Sequence, residues 1–316
     1  MMDWSDRHCR YLHRLYAPHA LLYTEMIVSS AIVRGNPGRL LEHHAAEHPV
    51  ALQLGGCDPQ ELAQAARQGE RAGYDEINLN VGCPSDRVKN GAFGACLMLK
   101  PPLVGDCVRR MRDAVQVPVT VKCRIGIDAR DDYEFLARFV ETVAAAGVQA
   151  LIVHARVAIL GGLSPKENRE IPPLKYQHVQ RLKRDYPDLP IVINGGLNDV
   201  EAARAQLDHG LDGVMLGRAA YHRPQVLSEI EAAVLGTGWV VPEPRDIVER
   251  IVRYARTQAA RGVRLHSITR HMHGLMAGRV GARAWRRFLS DVAAKPGATP
   301  ETLFSALPIL EQGLAA

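Results

Sequence analysis

Residues 49–80, PVALQLGGCDPQELAQAARQGERAGYDEINLN, contain the pattern that decides the fold. The short apolar runs 49–54 and 75–80 are typical of buried strands. The segment between them predicts a helix over 58–72, because Asp58 and Pro59 are favoured residues for the cap and first position of a helix. Strand, helix and strand in this order predict a parallel βαβ unit.

The same alternation extends in both directions along the chain. Further strands are predicted at 20–27, 118–124, 149–154, 190–194 and 212–217. Helices are predicted at 102–115, 131–146, 173–185 and 199–209. Such repetition predicts a parallel sheet, either an open doubly wound sheet or a (β/α)8 barrel.

Polar residues at the strand ends distinguish these two folds. They follow one strand after another: Glu25, Gln53, Asn78, Asn80, Lys122, Arg124, His154, Arg156, Asn194 and Arg218. In an open sheet such residues gather at one switch point, whereas in a barrel they converge from every strand on one mouth. We therefore predict an α/β fold of the (β/α)8 TIM-barrel type.

A complete barrel has eight strands, and seven are visible here. The chain opens with Asp3-Trp4-Ser5-Asp6, which is typical of the cap of the helix that follows a first strand. We therefore expect the first strand to be missing from this chain. Two explanations stay open, a truncated start and a damaged copy of the protein.

A second, helical domain is expected over residues 236–316, after a barrel domain over 1–235. Residues 236–244, GTGWVVPEP, predict a loop, and helices are predicted at 245–262, 264–277, 281–294 and 299–314. Residues 245–290 hold eleven Arg, no Lys and two acids, whereas the whole chain has a formal net charge of only +5. A basic segment on a slightly acidic body favours a polyanionic partner, and a solvated helical face stays open as the alternative.

The composition favours an ordinary globular protein of the cytoplasm. Apolar residues make up 47% and charged residues 23% of the chain. We predict no membrane association, because the chain has no long apolar run and no signal-peptide core. The spacing of the six cysteines fits neither a disulfide framework nor a metal site.

The predicted barrel mouth contains groups suited to a phosphorylated flavin. Asn194-Gly195-Gly196 and Gly217-Arg218 follow the last two strands, where barrels commonly bind phosphate. Gln53, Lys122 and His154 would face an electron-rich heterocycle. Together these residues predict bound FMN, whereas no GxGxxG motif supports a Rossmann-type dinucleotide site.

Cys83 lies just after a strand, in the rigid turn Gly82-Cys83-Pro84. A thiol with an ordinary pKa is protonated at neutral pH, so it can act as a general acid. A nucleophilic role stays open, although no His follows closely in sequence to activate the thiol. Free cysteines are usually small buried hydrophobic residues, and we interpret four others in this way: Cys57, Cys96, Cys107 and Cys123.

Long contiguous motifs resemble those of the tRNA-dihydrouridine synthases. They are HPVALQLGG (48–56), GYDEINLNVGCPSDR (73–87), NGAFGACLM (90–98), PVTVKCRIGID (118–128), SPKENREIPPL (164–174), NGG (194–196) and DGVMLGRAAY (212–221). The KENREIPPL loop is similar to that of the dihydrouridine synthase A branch. The resemblance covers the chain from Asp3 to the helical tail.

The resemblance implies an FMN enzyme that consumes NADPH, delivers hydride to C6 of a uracil and protonates C5 through a cysteine. Cys83 would be that proton donor. The residues implied in flavin binding are Met1, Gln53, Lys122, His154, Asn194, Gly195, Gly196, Gly217 and Arg218. Those implied in binding tRNA are Asn80, Lys166, Glu167, Arg169, Arg283 and Arg286. The implied substrates are D-loop uridines 20 and 20a, and we expect a monomer.

Three other functions stay open. A barrel related to the dihydroorotate dehydrogenases would share flavin and pyrimidine chemistry but would not need the Arg-rich tail. A non-catalytic tRNA-binding remnant would bind tRNA without flavin. A phosphate-binding isomerase or aldolase that uses Lys122 would show no preference for tRNA.

Overall fold

The computed structural model describes residues 1–85 and 91–311. Its strands are β1 Leu22–Tyr23, β2 Ile27–Val28, β3 Val50–Gly55, β4 Glu76–Val81, β5 Val119–Arg124, β6 Leu151–His154, β7 Ile191–Asn194 and β8 Gly213–Met215. Every predicted strand is confirmed. The predicted strand 20–27 is divided into β1 and β2.

Most predicted helices are confirmed to within a few residues. The α-helices are α1 Arg7–Tyr16, α2 Ser29–Arg34, α3 Pro37–Leu40, α4 Pro59–Arg71, α5 Pro101–Arg112, α6 Tyr133–Ala145, α7 Tyr176–Asp185, α8 Val200–Asp208, α9 Arg218–His222, α10 Gln225–Leu235, α11 Pro244–Ala259, α12 Leu265–Thr269, α13 Ala282–Phe288 and α14 Leu307–Glu311. The shorter turns are 3-10 helices at Ala45–Glu47, Gly94–Leu99, Glu167–Arg169, Met272–Gly274 and Pro300–Ala306, and a π-helix at Leu289–Ala293.

The last predicted helices therefore differ in type from the expectation. The predicted helix 264–277 is short α12 followed by a 3-10 turn, and α13 continues as a π-helical turn. Residues 312–314 of the predicted helix 299–314 lie outside the described residues, as do residues 86, 87 and 90 of two of the quoted motifs.

All strand pairings are parallel. Both β1 and β2 pair with β3, and the order then runs β4, β5, β6, β7 and β8. Every residue of β3 and β4 is buried, which explains their nearly continuous apolar character. Within residues 1–85 and 91–311, the hydrogen-bonded path ends at β1 and β2 on one side and at β8 on the other. Parallel strands with helices between them form the predicted barrel architecture.

The helix α4 shows how the sequence sets this packing. The Asp58 carboxylate accepts hydrogen bonds from the backbone N–H groups of Gln60 and Glu61 at 2.9 Å, and Pro59 occupies the first turn. A Cβ atom at Gly69 would lie 2.5 Å from Leu52 Cδ2 of β3. The glycine therefore lets α4 approach the sheet closely.

The chain divides into two compact units. The first contains residues 1, 21–197 and 201–216, and the second contains residues 2–20, 198–200 and 217–316. This division differs from the expected boundary at residue 235, because α1, α9 and α10 belong to the helical unit. The reason is apolar packing: Leu12, Leu15 and Tyr16 of α1 share one core with residues such as Ile251 and Trp285.

The cap predicted near the start of the chain is confirmed at Asp6. Its carboxylate accepts from the backbone N–H groups of His8 and Cys9 at 2.9 and 3.0 Å, and so begins α1. It also pairs with Arg270 at 2.6 Å and with His271 at 3.0 Å. These partners hold the pKa of Asp6 far below its usual range, despite the opposing effect of burial.

In the part of the chain that is described, no helix has the length and apolar character needed to cross a membrane.

Candidate active site

The polar residues at the carboxyl ends of the strands lie in register with one another. Gln53 of β3 is opposite Asn78 of β4, which is opposite Thr120 of β5. Two residues further along these strands, Asn80 is opposite Lys122. The sheet therefore brings these side chains from successive strands to one end of the first unit.

Hydrogen bonds join several of these side chains into a buried ladder. Gln53 Nε2 donates to Asn78 Oδ1 at 2.9 Å, and Asn78 Nδ2 donates to Thr120 Oγ1 at 2.8 Å. Asn80 Nδ2 donates to Gln53 Oε1 at 2.8 Å. These partners fix the orientation of the Gln53 amide and leave one N–H group of Nε2 for a ligand.

The loop that contains Cys83 is held by its backbone. The N–H groups of Gly82 and Cys83 both donate to Asn80 Oδ1 at 3.0 Å. The Cys83 carbonyl accepts from Ala95 N at 2.9 Å. The thiol itself is partly exposed and lies 3.5 Å from Ser85 Oγ. The chain thus fixes the backbone of Cys83 and leaves its thiol accessible.

The other cysteines have different surroundings. Cys107 and Cys123 are buried as predicted, and burial raises the pKa of each thiol to about 12. The prediction of burial was wrong for Cys57 and Cys96, which are partly exposed. Cys57 lies before α4 and packs against the main core, and Cys96 lies within the turn Gly94–Leu99.

Cationic side chains gather beside Cys83. Burial, and then the charge of Arg124, lowers the pKa of Lys122 to about 8. Burial and the charges of Arg169 and Arg156 lower the pKa of Arg124 to about 10. The pKa of His154 is well below its usual value, because the ring is buried and faces these cations. His154 is therefore neutral at neutral pH, in a strongly positive field.

Two of these groups lack a protein partner. The buried Nδ1 atom of His154 has no hydrogen-bond partner among the described residues. Lys122 likewise forms no ion pair with any acid in residues 1–85 and 91–311. A buried polar atom without a partner is costly, so His154 Nδ1 suits a ring with carbonyls and nitrogens, and the ammonium of the half-buried Lys122 suits a bound anion.

The turn after β7 requires glycine at two positions. Gly195 and Gly196 have φ values of 110° and 73°, which side chains of L residues rarely adopt. A Cβ atom at Gly196 would lie 2.5 Å from Leu174 Cδ1 and 2.7 Å from Tyr176 Oη. Tyr176 Oη also donates to the Gly195 carbonyl at 2.7 Å. The turn is therefore compact and rigid.

The loop 159–171 contains three of the six residues that the resemblance assigns to tRNA binding, Lys166, Glu167 and Arg169. Lys166 and Glu167 are exposed, whereas Arg169 is partly buried. The carbonyl of Asn168, the residue before Arg169, accepts from Arg124 Nη1 at 2.8 Å, and the charge of Arg169 lowers the pKa values of Arg124 and His154. Only Arg169 of the three is therefore brought near the strand-end cluster.

The remaining predicted residues lie elsewhere. Met1 is 37% exposed and belongs to the first unit. Gly217 caps α9 and Arg218 begins it, so both are described with the second unit. Arg283 and Arg286 are exposed on α13. Their assigned roles stay predictions.

Comparison with known proteins places the chain in a family. The family model described as "Dihydrouridine synthase (Dus)" matches residues 1–308. The chain belongs to the dihydrouridine synthase family. The resemblance predicted from the motifs is thus confirmed, and it favours this family over the dihydroorotate dehydrogenases.

Several relatives of this chain are named "tRNA-dihydrouridine(20/20a) synthase". The protein from Escherichia coli (strain K12) is 53% identical over 311 residues, which cover 98% of this chain and 90% of the relative. That from Shewanella oneidensis is 52% identical over 316 residues, covering 100% and 94%. That from Vibrio cholerae is 51% identical, again covering 100% and 94%.

Sequence reasoning missed two residues of this synthase-family site, Arg124 as a bridge between loops and Asn168 as the anchor of the loop 159–171. Arg124 was noted only as one of the polar residues at strand ends. Asn168 was not singled out; it lies between the charged residues Glu167 and Arg169 and is fully buried. Its Oδ1 accepts from Ile159 N at 2.8 Å, and its Nδ2 donates to Ile159 O at 2.9 Å.

Proposed function

We propose that this chain reduces the C5–C6 double bond of uridine in tRNA to 5,6-dihydrouridine, with FMN as cofactor and NADPH as electron donor. The substrates would be D-loop positions 20 and 20a, as the names of its relatives suggest. The observation that carries the proposal is the accessible Cys83 thiol on a fixed backbone, beside the Lys122 and Arg124 cations.

The first unit fits FMN by its donors and its charge. The partnerless His154 Nδ1, the unpaired Lys122 ammonium and the free N–H group of Gln53 suit the carbonyls and nitrogens of an isoalloxazine ring. The positive-φ pair Gly195-Gly196 suits close approach of a phosphate to the backbone. When bound, FMN supplies the hydride that adds to C6 of the uracil.

The chain's own residues supply the proton and the surroundings. Cys83 holds the proton that C5 receives, because its thiol is accessible and its backbone is fixed from two sides. Lys122 stabilises the negative charge that develops on a ring carbonyl or flavin edge nearby. His154, kept neutral by burial, offers hydrogen bonds without adding a further charge.

The arginines of the helical unit support tRNA as the substrate. Arg283 and Arg286 are exposed and form no ion pair with an acid of residues 1–85 and 91–311. Guanidinium groups grip phosphate with paired donors, without reading the base sequence. We propose that these residues orient tRNA, while the target uridine leaves its stack to reach the mouth. The enzyme would act in the cytoplasm as a monomer.

The test uses unmodified tRNA transcript, NADPH and the purified flavin-loaded protein. We expect dihydrouridine at positions 20 and 20a, detected by mass spectrometry of nuclease fragments. Cys83→Ala should slow product formation by about 10²–10⁴-fold and leave NADPH-dependent bleaching of the flavin unchanged. The matched control is Cys57→Ala, which removes another partly exposed thiol.

Three outcomes would contradict the proposal. Dihydrouridine formation at the normal rate by Cys83→Ala would remove the proton-donor role. Binding of tRNA without flavin would indicate a non-catalytic binding protein. Flavin reduction without any preference for tRNA would indicate a different substrate.

A further inference from the structure

Arg124 lies between two loops that are far apart in sequence. Its Nε donates to the Gly82 carbonyl at 3.1 Å, and its Nη1 donates to the carbonyls of Val157 at 3.1 Å and Asn168 at 2.8 Å. The residue is only 5% exposed. Its hydrogen-bonding groups are thus directed at backbone atoms of the protein.

At one end, Arg124 helps to fix the residue before Cys83. The Gly82 N–H group donates to Asn80 Oδ1, and the Gly82 carbonyl accepts from Arg124. A Cβ atom at Gly82 would lie 3.3 Å from the backbone carbon of Cys123, so this loop lies close against β5. Release of the Gly82 carbonyl would therefore leave Gly82 held only through its N–H group, and would loosen the residue that precedes Cys83.

At the other end, Arg124 holds the loop 159–171 through its anchor. The side chain of Asn168 bonds Ile159 at both backbone atoms and also donates to Leu163 O at 3.2 Å. Lys166 and Arg169, assigned above to tRNA binding, flank this anchor in sequence. A displacement of the loop on nucleotide binding would move the Asn168 carbonyl that Arg124 grips.

We infer that Arg124 is a positioning residue that couples the loop 159–171 to the loop of Cys83, so that engagement of a tRNA nucleotide sets the position of the proton donor. The inference rests on the proposed function. The guanidinium suits this position because Nε and Nη1 are separate donors in a rigid plane, whereas a lysine has all its donors on one nitrogen.

The first test is Arg124→Lys, which keeps the charge and removes the fork. Hydrogen–deuterium exchange should rise together in peptides covering 81–85 and 157–169, while peptides of β3, β6 and β7 keep their protection. The kcat for dihydrouridine should fall about 10–100-fold, with the KM for tRNA and flavin bleaching by NADPH little changed. The control is Arg138→Lys on the exposed face of α6.

A second variant tests the coupling from the opposite end. Asn168→Asp keeps the acceptor for Ile159 N and loses the donor to Ile159 O and Leu163 O. It should loosen 159–171 and also raise exchange at 81–85, although it is not part of the Cys83 loop.

Each outcome decides the inference. Loosening confined to one loop in both variants, or exchange raised over the whole sheet, would overturn the coupling. Wild-type kcat in Arg124→Lys would also overturn it. If the wild-type protein makes no dihydrouridine, the proposed function fails, and the exchange data still report whether Arg124 joins the two loops.

Discussion

The side-chain oxygen of Asn80 lies 3.0 Å from the backbone nitrogen of Cys83 and accepts a hydrogen bond from it. The same oxygen accepts from Gly82, and the amide nitrogen of Asn80 donates to Gln53. Asn80 thus ties the Cys83 loop to the polar ladder across β3, β4 and β5.

This relationship predicts different effects for two substitutions of Asn80. Asn80→Ala removes the acceptor for both N–H groups and should slow product formation about 10–100-fold, because the thiol is misplaced. Asn80→Asp keeps that acceptor and should be less impaired. Single-turnover formation of dihydrouridine measures both. The control is Asn36→Ala, which removes an asparagine cap from the short helix α3. Equal rates for Asn80→Ala and wild type would contradict this role.

The affinity for FMN should depend on the protonation of Lys122. Burial lowers the pKa of this ammonium to about 8, so its charge is present below pH 8 and lost as the pH rises through that value. FMN should therefore bind more weakly to the apoprotein at pH 9 than at pH 7, as measured by quenching of flavin fluorescence. Lys122→Met should bind weakly at both pH values. If the affinity of Lys122→Met for FMN changed with pH as it does in the wild-type protein, Lys122 would be excluded as the source of the pH dependence.

The turn after β7 should tolerate no side chain at Gly196. Gly196→Ala combines a positive φ with an approach of 2.5 Å to Leu174, whereas Gly210→Ala has a positive φ and open space. The strained backbone alone costs about 1–2 kcal/mol. We expect Gly196→Ala to lose more stability than Gly210→Ala in urea unfolding, and also to retain less flavin. Equal losses of stability in the two variants would show that Leu174 and Tyr176 move aside at little energetic cost.

Two exposed arginines should contribute to the salt dependence of tRNA binding. Arg283→Gln and Arg286→Gln should each reduce the slope of log affinity against log salt by about 0.7–0.9, if each side chain neutralises one phosphate. Arg287 provides the control, since it is also exposed on α13 but pairs with Asp291 at 3.2 Å. A salt-independent affinity in the wild-type protein would contradict phosphate binding altogether.

The helical unit should lose stability in mild acid. Burial lowers the pKa values of His8 and His13 to about 4. Below pH 6.5 the unfolded chain takes up protons that the folded protein binds only near pH 4, so the free energy of unfolding falls as the pH falls through this window. The loss is at most about 3 kcal/mol for each group. Asp6, whose pKa is far lower, stays ionised over this range.

Urea unfolding followed between pH 7 and pH 5 measures this loss. His8→Gln should flatten the dependence, whereas the exposed His222→Gln should leave it unchanged. An identical slope in His8→Gln and wild type would show that His8 does not contribute.

The strands and the polar strand ends could be predicted because they follow from local pattern. Buried parallel strands need apolar runs, and Gln53, Lys122 and His154 stand out where those runs end. The role of Arg124 could not be predicted, because its partners are backbone carbonyls that any residue type supplies. Nor could the burial of Asn168, since its acceptors are likewise carbonyls of its own loop.

The sequence pattern also could not predict that α1 belongs to the helical unit. An amphipathic helix with Leu12, Leu15 and Tyr16 on one face could cover a barrel equally well. Only the tertiary packing against α11 and α12 decides between the two.

That packing has a consequence for how the protein is made. The apolar face of α1 is synthesised before the sheet, whereas Ile247 and Trp285 of the same core are synthesised only after the whole sheet. Contacts between segments so distant in sequence form slowly, because a long loop must close first. On the ribosome, Leu12 and Tyr16 therefore stay without their partners while the barrel strands emerge. Chaperones and proteases would meet α1 as an unpaired helix during that interval.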